Sequence, residues 1–107
     1  MFLTYEHKKK NCDELYEVLA SLKGAEEFKL FFEDLCTFKE TEQMEQRLAG
    51  ALLLLDGMTY TQVTSQTDIS TATLSRVSRC IQHGSGGYSR LLARYMEEKK
   101  SGEKDDE

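Results

Sequence analysis

Residues Ala49 to Leu55 read AGALLLL, so a helix drawn through them carries no polar side chain on any face. Such a helix has to be buried on every side, and no other feature constrains the chain as strongly. It is expected to open at Thr37-Phe38-Lys39-Glu40, which has the form of a capping box, and to run through Met44, Leu48, Ala51, Leu52 and Leu55 to a glycine stop at Gly57. Its cover must come from other apolar helix faces, and the flanks supply them. From about Asp13, a stripe of Leu15, Val18, Leu19 and Leu22 leads to Gly24, which offers a C-terminal stop. Ala25 to Leu35 adds Phe28, Phe31, Phe32 and Leu35, and Tyr88 to Lys99 adds Leu91, Leu92, Tyr95 and Met96. There is no proline and no useful run of strand-like alternation, so the expected fold is all-α. The length fits a single domain, placed at residues 1–100, and the charged segment 101–107 reads as a disordered tail. One small core cannot close all of these stripes. A homodimer can, with the N-terminal helices and the last helix of one chain covering the central helix of the other.

Gly57 to Gln82 has a different pattern, that of a helix-turn-helix over residues 59–82. Thr59-Tyr60-Thr61-Gln62 is a second capping box, which starts a helix at Tyr60. Asp68-Ile69-Ser70 interrupts it, and Ser70 is a good N-cap for a helix from Thr71. Val63, Ile69, Leu74 and Val77 fall where the two helices of this motif meet at a steep angle. Facing outward on the second helix are short hydroxyls and guanidinium groups, the types that read base edges and hold phosphates. Thr71, Ala72, Thr73 and Ser75 are the expected base contacts, with Ala72 and Thr73 placed to sense a thymine methyl. Arg76 and Arg79, with Gln62 and Ser65 from the first helix, are the expected phosphate contacts. Thr64 stands where this motif usually has alanine, Thr67 where a leucine normally packs, and Asp68 where glycine takes a left-handed turn, a conformation aspartate tolerates. The two threonines predict a loosely packed, mobile first helix.

Charge is distributed unevenly along the chain. The net charge is −5, which argues against indiscriminate nucleic-acid binding. Residues 1–56 carry 12 acidic and 7 basic side chains, residues 57–95 carry 1 and 4, and residues 96–107 carry 6 and 3. The basic groups of the middle segment are Arg76, Arg79, Arg90 and Arg94, and its acid is Asp68. A local positive field therefore sits on the helix-turn-helix, although the same four arginines are also compatible with a simple solvated face. Cys12, Cys36 and Cys80 lack paired spacing, so they are expected to be reduced thiols rather than a disulfide framework or a zinc site. His7 and His83 have no metal-ligand partner at helical spacing, and no glycine-rich loop follows a strand. Neither catalysis, metal nor cofactor is expected. No apolar run reaches membrane-spanning length and residues 1–10 lack the order of a signal peptide, which places the chain in the cytoplasm.

The order Cys36-Thr37-x-x-Glu40, Gln46-Arg47, the apolar helix ending at Asp56-Gly57, Tyr60, and Ser70-Thr71-Ala72-Thr73-Leu74-Ser75-Arg76-Val77-Ser78-Arg79 resembles the Trp-repressor-like YerC/YecD family of small bacterial regulators. The glycine loop Gly84-Ser85-Gly86-Gly87 with Tyr88 is similar too. The match covers roughly residues 12–95, and Ser70 to Arg79 is its specific part. It implies an all-helical intertwined homodimer of about six helices per chain, binding double-stranded DNA as a transcriptional regulator. The more distant likeness to the Trp repressor implies a degenerate corepressor pocket at Thr37, Arg47, Arg76, Val77 and Cys80. Val77 stands there for a glycine and Cys80 for a serine, a valine side chain would fill the indole slot, and cysteine is a poor donor. Tryptophan is therefore not the expected corepressor, and no other effector is implied. Thr37 is equally well accounted for as a helix cap, and Arg47 as a surface cation. The alternative function is a helical dimeric protein-interaction module, docking through Phe28, Phe31, Phe32 and the tail, in which the helix-turn-helix is only architecture.

Overall fold

The computed structural model describes residues 13–105, the last three by backbone alone, and the expectations for His7 and Cys12 lie outside that range. The elements are α1 (Asp13–Ser21), α2 (Gly24–Leu35), α3 (Phe38–Leu55), α4 (Tyr60–Gln66), α5 (Thr71–His83), a π-helical turn (Gly87–Leu92) and α6 (Ala93–Asp105). The fold is all-α, with no strand among the described residues.

Contacts part the chain into two compact units between Lys39 and Glu40, where the sequence suggests one domain. In the first unit, α1 and α2 bury no residue. The aromatic stripe of α2 is closed only on itself, Phe28 stacking on Phe32 at 6.4 Å between centroids and Phe31 meeting Phe32 edge-on at 6.1 Å. Gly24 does not end α1 as expected. It opens α2 in the left-handed region, at φ +78, while Lys23 N–H donates to Glu27 Oε1 at 2.8 Å. A positive φ is cheap only for glycine, which is why this residue can start a helix immediately after another has stopped.

The second unit is built on α3. Its end follows the sequence: Gly57 takes φ +101, Gly57 N–H donates to Leu54 O at 3.1 Å and Met58 N–H to Leu53 O at 3.1 Å. These are the paired bonds that satisfy the last carbonyls of a helix. Burial of α3 departs from expectation. Only Gly50 and Ala51 are buried, Leu52 to Leu55 are half-buried, and Leu48 is 44% exposed. An apolar helix is covered only by what packs on it, and at Gly50 that is the helix-turn-helix. A Cβ at Gly50 would lie 3.2 Å from Leu74 Cδ1 and 3.8 Å from Ile69 Cδ1, so the missing side chain is what admits α5 to the α3 surface. Ala51, Val63, Ile69, Leu74 and Val77 form the buried core, flanked by Leu53, Leu54 and Met58.

Past α5 the chain turns at Gly86, φ +99, whose carbonyl accepts from both Arg90 N–H (2.9 Å) and Leu91 N–H (3.2 Å). This sharing widens the first turn into a π-helix, where the sequence pattern suggests an ordinary helix from Tyr88. The following helix runs to Asp105 instead of ending at Lys99, so residues 101–105 of the expected disordered tail are helical. The segment has no proline to break the helix, and its Glu103 and Lys104 are good helix formers. Lys100 Nζ reaches Asp56 Oδ1 at 3.7 Å, an exposed pair that contributes little to stability.

Candidate nucleic-acid interface

Local capping positions both helices of the helix-turn-helix. Gln62 N–H donates to Thr59 Oγ1 at 3.1 Å and Thr59 N–H to Gln62 Oε1 at 2.8 Å, the reciprocal capping box expected at the start of α4. Thr73 N–H donates to Ser70 Oγ at 3.1 Å, which caps α5 as expected.

The turn between them is made differently from the sequence reading. Asp68 takes no left-handed turn, because no described residue other than glycine has a positive φ. Thr67 closes the turn. Its hydroxyl donates to Val63 O at 2.7 Å and accepts from Ile69 N–H at 3.2 Å, while its own N–H donates to Val63 O at 3.0 Å. The polar side chain that predicts a loose first helix thus satisfies a carbonyl of the last turn of α4 and an amide of the turn that follows it.

Val63, Ile69, Leu74 and Val77 face inward as expected, and Val77 is only 1% exposed. Turned outward are Thr71, Ala72, Ser75, Arg76 and Arg79, five of the six expected contacts on α5. Ala72, Arg76 and Arg79 lie one and two turns apart on one stripe. Thr73 is half-buried, and its hydroxyl oxygen lies 2.9 Å from Ser70 Oγ, which donates to it. Gln62 and Ser65 are exposed on α4, but each is partly committed. The Gln62 carbonyl accepts in the capping box, leaving its amide NH₂ free to donate, and Ser65 Oγ donates to Gln62 O at 3.2 Å. No acidic residue lies in the first turn of α4 or α5, so the positive ends of both helix dipoles stay uncompensated there. Neither Arg76 nor Arg79 forms an ion pair among the described residues. Tyr60 was singled out by neither periodicity nor charge, yet its hydroxyl donates to the Thr71 carbonyl at 2.8 Å, joining the first residues of α4 and α5.

Of the residues expected to form a degenerate corepressor pocket, four lie in the second unit, and they are distributed as follows. Arg47 and Arg76 share an open cleft of about 320 Å³ with Glu42, Gln43, Gln46, Ala72 and Thr73. Val77 is buried in the core instead of lining this cleft. Cys80 lines a separate, mainly apolar cavity of about 580 Å³ with Leu48, Tyr88, Leu91 and Tyr95. Thr37 belongs to the other compact unit. Cys36 and Cys80 are free and half-buried thiols. Among the described residues no group of histidine, cysteine and carboxylate side chains is arranged to hold a metal ion, and no helix is long and apolar enough to cross a membrane.

This arrangement of a two-helix reading head on a long apolar helix has known counterparts. The family model of the Trp repressor protein matches residues 10–96. The chain belongs to the Trp repressor family. It is 43% identical over 88 residues to the protein YerC of Bacillus subtilis, which covers 82% of this chain and 85% of that protein. A solved structure of a candidate Trp repressor from Staphylococcus aureus superposes with a TM-score of 0.74 at 36% identity, over 87% of this chain and 95% of that one. A TrpR-like protein from Eubacterium eligens gives 0.73 at 37% identity, over 83% and 94%. Members of the Trp repressor family are generally DNA-binding helix-turn-helix regulators and typically not enzymes. The Trp repressor fold expected from Ser70 to Arg79 is therefore the fold found.

Proposed function

We propose that this chain is a sequence-specific DNA-binding transcriptional regulator that acts as a homodimer in the cytoplasm. The observation that carries the reading is the outward face of α5: Thr71, Ala72, Ser75, Arg76 and Arg79 are exposed together, with the arginines unpaired and no acid in the first turn. α5 enters the major groove by its N-terminal end. Thr71, Ala72, Thr73 and Ser75 meet base edges, while Arg76, Arg79, Gln62 and Ser65 hold phosphates. Steric occupancy of an operator is the mechanism.

Gel shift at rising salt tests it. Arg79→Ala is expected to weaken binding to all duplexes by a similar factor and to lower the salt dependence by about one phosphate contact. Thr73→Ala is expected instead to relax preference among sequences. If neither substitution changes DNA binding while a protein partner is lost, the chain is an interaction module. Favouring that second reading are the exposed apolar side chains of the first unit, Leu30 at 58% and Phe38 at 83%. In the homodimer they belong to the interface between the two copies.

The reading disfavours tryptophan as corepressor, and the lining of the cleft adds a reason other than the slot-filling valine. The Arg47–Arg76 cleft is lined by Glu42, Gln43, Gln46, Ala72 and Thr73, with no large apolar side chain to cover an indole. Burial of apolar surface drives binding of such a ring, and this cleft offers little of it. Calorimetric titration of the protein with tryptophan to millimolar concentration is expected to give no isotherm, and tryptophan is expected to leave the melting temperature unchanged. A clear isotherm would make the chain a corepressor-gated switch.

A further inference from the structure

We infer that Tyr60 is the positioning residue of the reading head, setting how α5 presents its N-terminal end to the bases. The inference rests on the DNA-binding reading. The residues buried together by α4, the turn and α5 are apolar: Val63, Ile69 and Leu74. Apolar packing seats α5 on α3 at Gly50 but makes no hydrogen bond, so it leaves the first turn of α5 without a directional tie. A hydrogen bond to a base edge tolerates a few tenths of an ångström of misplacement, about the width of the accepted distance range.

The Tyr60 hydroxyl supplies the missing direction. It donates at 2.8 Å to the carbonyl of Thr71, the first residue of α5 and an expected base contact. The tie is to the backbone, so the Thr71 side chain remains free for DNA. It also reaches across eleven residues of sequence from the first position of α4, itself fixed by the Thr59–Gln62 capping box two bonds deep. The start of α5 is thereby referred to the start of α4, which carries the phosphate contacts Gln62 and Ser65. Backbone anchoring and base reading are held in one register by a single phenol.

Tyr60→Phe removes the hydroxyl and keeps the ring, so the fold stands. The probes are a duplex selected by the unmodified protein from a random library and a mixed-sequence control duplex of equal length. Tyr60→Phe is expected to lower affinity for the selected duplex about three- to tenfold, the range of one lost hydrogen bond, and to leave the control duplex and the salt slope as they were. Placing 4-aminophenylalanine at position 60 restores a donor and is expected to restore the preference, which a role in ring packing alone would not require. Exchange of the Ser75 amide, which by helix geometry donates to the same Thr71 carbonyl, is expected to quicken in Tyr60→Phe without DNA present. Equal binding of the selected duplex by both proteins overturns the inference, and so does an equal loss on both duplexes. If the unmodified protein selects no duplex, the DNA-binding reading fails, and unchanged Ser75 exchange then overturns the positioning role independently.

Discussion

Leu74→Ala is expected to destabilise the second unit by about 2–5 kcal/mol, the range for truncating a buried leucine that its surroundings cannot refill. Leu74 is fully buried, at 0% exposure, among Val63, Ile69 and the α3 backbone at Gly50. The wall facing it is a glycine, so α3 has no side chain there to move into the vacated space. Against the roughly 5–15 kcal/mol that holds a small protein folded, such a loss is large. Denaturant unfolding followed by circular dichroism is the measurement, with the midpoint falling and the slope unchanged. DNA binding is expected to fall with the folded fraction. A loss below about 1 kcal/mol would mean that α5 can resettle on α3, and that Gly50 is not what fixes the seat of the reading head.

The second large effect concerns assembly. Sedimentation of the intact chain at micromolar concentration is expected to give roughly twice its 12.3 kDa mass. Within one chain α1 and α2 bury nothing, and Leu48, Leu91 and Tyr95 stay 44–50% exposed around the apolar cavity beside Cys80. Contiguous apolar surface of that kind marks an interaction site or leads to aggregation. Deleting residues 1–35 is therefore expected to turn a soluble dimer into an aggregating chain, visible as loss of the sedimenting species at unchanged total protein. A well-behaved monomer from the intact chain would overturn the homodimer, and a soluble truncated chain would show that α1 and α2 are not the cover of α3.

The parts of this protein legible in its sequence are those governed by residues within about one helical turn of one another. The caps Thr59–Gln62 and Ser70–Thr73, the stop at Gly57 and the inward set Val63, Ile69, Leu74 and Val77 follow from spacing alone, because capping bonds and helical periodicity act over three to four residues. So does the exposure of Arg76 and Arg79. Other features had no local signal strong enough to choose among alternatives. Thr67 closing the turn in place of Asp68, and Gly86 opening a π-turn, depend on which of several permissible backbone paths brings α4, α5 and α6 into contact. The bond from Tyr60 to Thr71 joins residues that share no helix face. The likeness to the Trp repressor grouped Cys80 and Val77 with Arg47 and Arg76, whereas helix packing sends Val77 into the core and Cys80 to another cavity. The sequence by itself determined where the two helices of the helix-turn-helix start and which of their faces is apolar, since these are properties of short segments. Only the tertiary structure decided what each face meets, because burial and long-range hydrogen bonds belong to pairs of elements and are not encoded in either one alone.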